Sequence, residues 1–231
     1  MKIGGLIKFS LVDYPGKVSA VVFAQGCNFR CSFCHNPELI ADSNQSNQLD
    51  EEEVLEYLKK RSDQLQGVVV SGGEPTLQPG IIAFLDRLKR LGYLVKLDTN
   101  GSNPKVLDKL IFIKLVNYIA MDIKAPLWKY SDIAGVDVDV ENIKESIETI
   151  KRSGLPHQFR TTLVKPLCSG EDIPKIVSLI GNEENYKINP FKANEKILDK
   201  KLLKESHYTE QEINLFRKKW EMVGQTQTKF Y

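Results

Sequence analysis

The sequence predicts an α/β domain on a mostly parallel sheet, from two observations. Short apolar, β-rich runs return about every 25 to 30 residues with amphipathic stretches between them, which is the spacing of βα units. The chain has 231 residues, 42% of them apolar, and at that length it buries roughly 70% of the surface its unfolded form exposes. It therefore needs no disulfide staples and reads as a single domain over residues 1–231, with a core of about 16–192 and a helical tail of about 205–222.

Six strands are expected, at 18–23, 68–71, 94–99, 118–123, 159–164 and 186–189. The helices between them carry start and stop signals. Asp50 followed by Glu53 is an N-cap pattern opening a helix through Val54, Leu55 and Leu58. Asp139 precedes Ile143, Ile147 and Ile150 at helical spacing, and Gly154 suits the left-handed residue that ends such a helix. Further helices are expected at 81–91, 105–112 and 173–180, with Pro104 and Pro174 fitting first turns. In the tail, Thr209 and Glu212 form a capping box ahead of Ile213, Phe216 and Trp220, while Asp42 to Gln48 reads as an exposed loop. Alternating strands and helices imply right-handed crossovers and a parallel sheet, open or curled into part of a barrel. In both arrangements ligands gather at the carboxyl ends of the strands.

Charge excludes one class of partner. Lys and Arg total 32 against 30 Asp and Glu, interleaved along the chain, and a net +2 gives no field to argue for nucleic acid. No apolar run reaches the roughly 18 residues of a membrane span, and residues 1–10 lack a signal-peptide core, so the expected location is cytoplasmic without membrane attachment. Three of the four cysteines, Cys27, Cys31 and Cys34, crowd into one short segment. In a reducing compartment that crowding suggests metal rather than disulfides.

The segment Gly26-Cys27-Asn28-Phe29-Arg30-Cys31-Ser32-Phe33-Cys34-His35-Asn36 follows the first expected strand. A loop can aim three sulfurs at one iron–sulfur cluster. Three ligands to a four-iron cube leave one iron open to a small molecule, as catalytic zinc keeps an open position. The alternative is a structural zinc knuckle of Cys27, Cys31, Cys34 and His35, although the adjacent Cys34 and His35 side chains tend to diverge. Cys168, far downstream, reads as a packed or partly exposed free thiol.

CxxxCxxC with Phe33 before the last cysteine resembles the signature of radical S-adenosylmethionine (SAM) enzymes. The continuation Cys34-His35-Asn36-Pro37 resembles the branch that activates glycyl-radical enzymes. Supporting pieces follow at later strand ends: Gly72-Gly73-Glu74-Pro75, Asp98-Thr99-Asn100-Gly101 and Met121-Asp122-Ile123-Lys124. The resemblance runs from about Phe9 to Phe191. With the stretch Phe9-Ser10-Leu11-Val12-Asp13-Tyr14-Pro15-Gly16-Lys17, it is closest to anaerobic ribonucleoside-triphosphate reductase activating proteins.

The resemblance implies a partial (β/α)6 TIM-like barrel with one 4Fe-4S cluster, whose open iron is chelated by SAM. It makes Cys27, Cys31 and Cys34 the cluster ligands and places Phe33 and His35 near the adenine. Gly72 and Gly73 would let backbone approach a ligand, and Glu74 would accept hydrogen bonds from an ammonium. Asp122 and Lys124, two apart on one strand face, would bind ribose hydroxyls and a ligand carboxylate, or else pair with each other. Asp98 and Asn100 join this set, the counterpart of Asp98 contributing in related activators to a cation site beside SAM. Lys192 stands where pyruvate formate-lyase activators carry a histidine. Arg160 would enter the site or pair with a carboxylate, and His157 and His207 read as surface residues.

The activity implied is radical SAM chemistry: an external flavodoxin or ferredoxin reduces the cluster, SAM is cleaved to methionine and a 5′-deoxyadenosyl radical, and a glycine in a partner enzyme loses its α-hydrogen. The expected partner is anaerobic ribonucleotide reductase; the alternatives are pyruvate formate-lyase, another glycyl-radical enzyme, or, in another class, a non-catalytic zinc-binding module. With no cysteines for a second cluster, the electron comes from outside. Lys200-Lys201 and Arg217-Lys218-Lys219 read as solvated faces that could touch an acidic donor.

Overall fold

The computed structural model describes residues 1–41, 48–182 and 184–227, with side chains through residue 218. Seven strands form one sheet in chain order: β1 (Ile3–Ser10), β2 (Ser19–Ala24), β3 (Gly67–Gly72), β4 (Leu94–Thr99), β5 (Tyr118–Asp122), β6 (His157–Leu163) and β7 (Tyr186–Pro190). From β2 to β7 every neighbouring pair is parallel. The sheet is not closed, because β1 and β7 stand at its two ends. The fold is thus a single α/β domain with a mostly parallel, partial-barrel sheet.

The six expected strands are present as β2 to β7, and the sequence reading missed β1. This strand runs antiparallel to β2, pairing Ile3 with Ala24 and Ser10 with Ser19. It escaped notice because its burial follows no clean alternation: Ile3 and Ser10 are buried while Ile7, Lys8 and Phe9 face outward. As an added edge strand it covers the hydrogen-bonding edge of β2, and it does so ahead of the expected start of the core near residue 16.

Seven helices connect and flank the strands: α1 (Glu51–Lys59), α2 (Ile81–Arg90), α3 (Pro104–Phe112), α4 (Tyr130–Ala134), α5 (Val140–Arg152), α6 (Ile173–Ile180) and α7 (Glu210–Gln227). The capping signals work as chemistry. The Asp50 carboxylate accepts from the amides of Glu52 at 2.8 Å and Glu53 at 3.1 Å. Asp139 accepts from the Glu141 amide at 3.1 Å, and Gly154 takes a positive φ of 67° after α5. Thr209 and Glu212 cap reciprocally, the Thr209 amide donating to Glu212 at 2.7 Å and the Glu212 amide to the Thr209 hydroxyl at 3.2 Å. Ile213 is buried and Phe216 packs edge-on against Tyr208. The expected inward role of Trp220 and the loop at 42–47 lie outside what is described.

One continuous core fills the space between helices and sheet, with Val68, Val70, Val95, Leu97 and Ile119 of the strands facing Phe84, Leu88, Ile147 and Ile150 of the helices. Among the described residues no helix is long and apolar enough to cross a membrane. If β1 belongs to this core rather than lying loosely over it, Ile3→Ala, at a fully buried position, will cost about 2–5 kcal/mol, read as a lower urea midpoint with an unchanged slope.

Candidate functional site

Six parallel strands ending at one side bring six connecting segments together there, and the segment after β2 is irregular. Its amides and carbonyls therefore need partners outside regular structure, and they find them around its length. Gly26 and Cys27 donate to the carbonyls of Leu39 at 2.7 Å and Ile40 at 3.1 Å, Arg30 donates to Ala134 at 2.7 Å, and Cys34 donates to Cys31 at 2.9 Å. From the segment after β7, Asp199 donates to the Ser32 carbonyl at 2.8 Å and Leu198 to that of Cys34 at 3.2 Å. The three cysteines ride on a loop fixed at both ends and in the middle.

The loop borders a cavity of about 200 Å³ at the carboxyl ends of β2 to β5. The residues expected to hold the cluster and SAM line it: the thiols of Cys27, Cys31 and Cys34 with Phe33 and His35, then Gly72, Gly73 and Glu74 at and after the end of β3, Asp98 and Asn100 at the end of β4, and Asp122 and Lys124 at the end of β5. Phe29, Ser71 and Thr99 line it too and were not foreseen. All four cysteines are free thiols. Burial pushes Cys27 up to about 11, and it also raises Cys31 and Cys34, while the Lys124 ammonium draws all three back down. Thiols desolvated in this way, Cys31 buried and Cys27 and Cys34 half-buried, need a cationic partner to be held as thiolates.

The donor set fits a cluster better than a single ion. A zinc knuckle would need a fourth ligand beside the three thiols. His35, its fourth ligand, has Nε2 2.8 Å from the Lys192 carbonyl oxygen and its ring against Phe191. Thiols spread along one wall suit a cube with a thiolate at each of three corners.

The glycines have a reason besides the expected approach to a ligand. A Cβ on Gly72 would strike the backbone of Ala24, and one on Gly73 would land on the Gly26 carbonyl. The bare backbone is there to let the β3 end lie against the start of the cysteine loop, joined by Gly73 N–H to the Ala24 carbonyl at 2.9 Å and Glu74 N–H to that of Gly26 at 2.8 Å. Glu74 is fully buried. Its Oε1 accepts from the Thr76 amide at 3.1 Å, the Thr76 hydroxyl at 2.6 Å and the Thr99 hydroxyl at 2.8 Å, and its Oε2 from the Asn100 amide at 2.6 Å. Burial raises this carboxyl despite those donors. Oε2 retains an accepting lone pair toward the cavity.

Along the strand ends runs a chain of alternating charges. Arg160 on β6 is the register partner of Asp122 on β5. Its Nε donates to Asp122 at 2.8 Å and an Nη to Asp98 at 3.2 Å. Lys124 donates to Asp122 at 3.2 Å, and Asp98 also holds the ammonium of Lys96 and the Ser71 hydroxyl. Arg160 thus pairs with carboxylates and does not line the cavity, and Asp122 and Lys124 pair with each other while lining it. Burial alone would raise Asp122, but Arg160 and Lys124 outweigh it and hold the carboxyl well below the usual range. Lys96, 3% exposed, was missed; the signal was a lone lysine inside Leu94-Val95-Lys96-Leu97, which demands a buried anion.

Two histidines are not surface residues. His157 is bridged between the Leu155 carbonyl and Glu184, at 2.8 and 2.7 Å, because β6 carries it under the loop before β7. His207 has both ring nitrogens buried without a partner among the described residues, its ring stacked edge-on against Phe191 at 5.0 Å. Cys168 is buried, and its thiol is pushed up to about 12 by burial.

A profile of the Radical SAM superfamily matches residues 21–180. Among curated proteins, the chain is similar to a putative glycyl-radical enzyme activating enzyme of Methanocaldococcus jannaschii, 34% identical over 82% of this chain and 79% of that one. It is likewise similar to the pyruvate formate-lyase-activating enzyme of Clostridium pasteurianum, 30% identical over 80% and 78%. Among solved structures, Streptococcus suis SuiB bound to S-adenosylmethionine shares the fold with a TM-score of 0.67 at 17% identity, over 90% of this chain and 48% of that one.

Two outcomes follow from this geometry. Gly73→Ala forces two backbones apart and will cost about 1–3 kcal/mol in urea unfolding. Arg160→Met takes one cation from Asp98 and Asp122, which keep Lys96 and Lys124, and will cost about 2 kcal/mol in the same measurement. Because the folded Asp122 carboxyl is held low, its contribution to stability is present above roughly pH 4 and is lost as the pH falls toward the folded value. Arg160→Met will flatten that acid limb of the stability profile.

Proposed function

The chain belongs to the Radical SAM superfamily, whose members use a 4Fe-4S cluster and SAM, and from that premise we propose that it activates a glycyl-radical enzyme. The observation that carries the reading is the single cavity shared by three thiols and a fixed carboxylate–ammonium array. In this reading Cys27, Cys31 and Cys34 hold the cluster. The spare lone pair of Glu74 Oε2 takes the amino group of SAM, and the Lys124 ammonium, with donors left after Asp122, takes its carboxylate. Asp122 and Asp98, made rigid by Arg160, receive ribose hydroxyls, Asn100 steadies that rim by donating to Asn28 at 3.0 Å, and Phe33 and His35 flank the adenine. Gly72 and Gly73 act through the loop they seat rather than by touching the ligand.

Bound there, the cluster and SAM supply one-electron cleavage of a carbon–sulfur bond, and through it removal of a hydrogen atom from a glycine of the partner. The residues' task is orientation and exclusion of water, since bringing the reacting carbon to its target in a dry mouth accounts for much of such a barrier. No acid–base pair is needed at the abstracted hydrogen. The names of the relatives favour a lyase of the pyruvate formate-lyase type as the first target, with anaerobic ribonucleotide reductase as the second.

Iron-loaded protein, reduced with dithionite and given SAM, should be brown, bleach on reduction and release 5′-deoxyadenosine. With pyruvate formate-lyase it should raise a glycyl-radical doublet in electron paramagnetic resonance. Cys31→Ala should reduce iron content, colour and 5′-deoxyadenosine to background. A doublet with the reductase alone would change the target, and a doublet with no glycyl-radical enzyme, despite SAM cleavage, would sink the activase assignment.

A further inference from the structure

The segment between β7 and α7 is built as a strap over the cysteine loop. Three hydrogen bonds fasten it there: Asp199 N–H to the Ser32 carbonyl at 2.8 Å, Leu198 N–H to the Cys34 carbonyl at 3.2 Å, and His35 Nε2 to the Lys192 carbonyl at 2.8 Å. Phe191, Ile197 and Leu202 are buried beneath it, so its course is set by packing and not by chance. Among its charged side chains the positive ones are in the majority. Lys192, Lys196, Lys200, Lys201 and Lys204 are all exposed, and none forms an ion pair among the described residues. The acidic groups on the same segment are Glu195, Asp199 and Glu205, and Asp199 is occupied in capping Lys201 N–H at 2.9 Å.

Five ammonium groups among three carboxylates leave the strap with a net positive charge, and an anionic surface is attracted to it. We propose that this strap is the docking surface for an acidic one-electron carrier protein, seated where the carrier's redox centre comes nearest to Cys31 and Cys34. This rests on the activase reading, which requires an external electron. In the step it serves, the carrier is oxidised by one electron and the cluster reduced by one, with no bond made or broken. Electron transfer weakens steeply with distance, and the strap is bonded directly to the backbone between two cluster ligands, so a carrier placed on it is separated from them by a single layer of chain. The other basic candidate, at Arg217, turns away: its guanidinium donates to the Ile188 carbonyl at 2.7 Å on β7.

The test uses the full-length, iron-loaded protein and a reduced flavodoxin as probe. In Lys196→Glu/Lys200→Glu/Lys201→Glu, flavodoxin affinity by titration calorimetry at low salt should fall about 10–100-fold, and its salt dependence should largely vanish. Flavodoxin-driven SAM cleavage at limiting carrier should fall in parallel, while dithionite-driven cleavage, iron content and thermal midpoint stay as in the parent. An equal change of charge elsewhere, Lys60→Glu/Lys105→Glu/Lys109→Glu, should leave flavodoxin affinity within about twofold. Unchanged affinity in the strap variant overturns the proposal, as does an equal loss in the control. Loss of dithionite-driven cleavage in the strap variant also overturns it, since the strap would then be structural or serve the glycyl-radical enzyme. If the parent itself cleaves no SAM with dithionite, the activase reading fails, and the affinity measurement still judges the surface by itself.

Discussion

The contact on which the site depends is the close approach of two backbones at Gly73 and Gly26. A sheet strand holds its own hydrogen bonds, but the cysteine loop has one internal backbone–backbone bond from Cys27 to Cys34 among the described residues, Cys34 to Cys31, so it must borrow most of the rest. Its first anchor is the β3 end, admitted by the missing side chains at Gly72 and Gly73. Its second is the turn at Leu39 and Ile40 later in the same connection, its third the Ala134 carbonyl at the end of α4, its fourth the strap after β7. Three of the four come from strand ends other than the loop's own. Only a parallel sheet, which delivers all its crossovers to the same end, can supply them together.

The same topology explains why the polar wall of the cavity is expensive and yet stable. Lys96, Asp98, Arg160, Asp122 and Lys124 sit on three adjacent strands with alternating sign, so each buried charge has opposite charges on its neighbours. Removing Asp98 or Asp122 leaves a cation, Lys96 or Lys124, without its partner in a poorly hydrated place. Kept whole, the array presents two carboxylates whose rotamers are fixed by donors from behind and whose remaining lone pairs face the cavity. Rigidity of that kind lowers the cost of orienting a polar ligand, because its partners are already ordered.

What could be read from the chain was what is local in it. Cys27, Cys31 and Cys34 are close in sequence, strand ends follow directly from the apolar runs that precede them, and caps such as Asp50 and Asp139 act within three residues. The pairings were not legible, because they cross the sheet: Arg160 meets Asp98 from 62 positions away and Asp122 from 38. Nothing in a one-dimensional pattern says which of several carboxylates a buried arginine will choose. Strand β1 was illegible for another reason. An edge strand packs one face partially and needs no strict alternation, so Gly4 and Gly5 hid it. At Gly72 and Gly73 the close approach of the Ala24 and Gly26 backbone was not legible beside the expected room for a ligand, since a missing side chain looks the same in sequence whether it makes room for a ligand or for another stretch of backbone.

That last ambiguity bears on how the site is to be understood. If Gly72 and Gly73 seat the cysteine loop, and Glu74 ties the β3 end to Thr99 and Asn100 of the β4 end, then one short motif couples the thiol wall to the carboxylate wall. A shift of either wall would be felt by the other through the four bonds to a single buried carboxylate. The Lys124 ammonium, which acts electrostatically on all three thiols and is bonded to Asp122, couples them a second time, by charge. The three thiols and the carboxylates that line the cavity therefore form one mechanical and electrostatic unit, and their positions relative to one another are set by the fold.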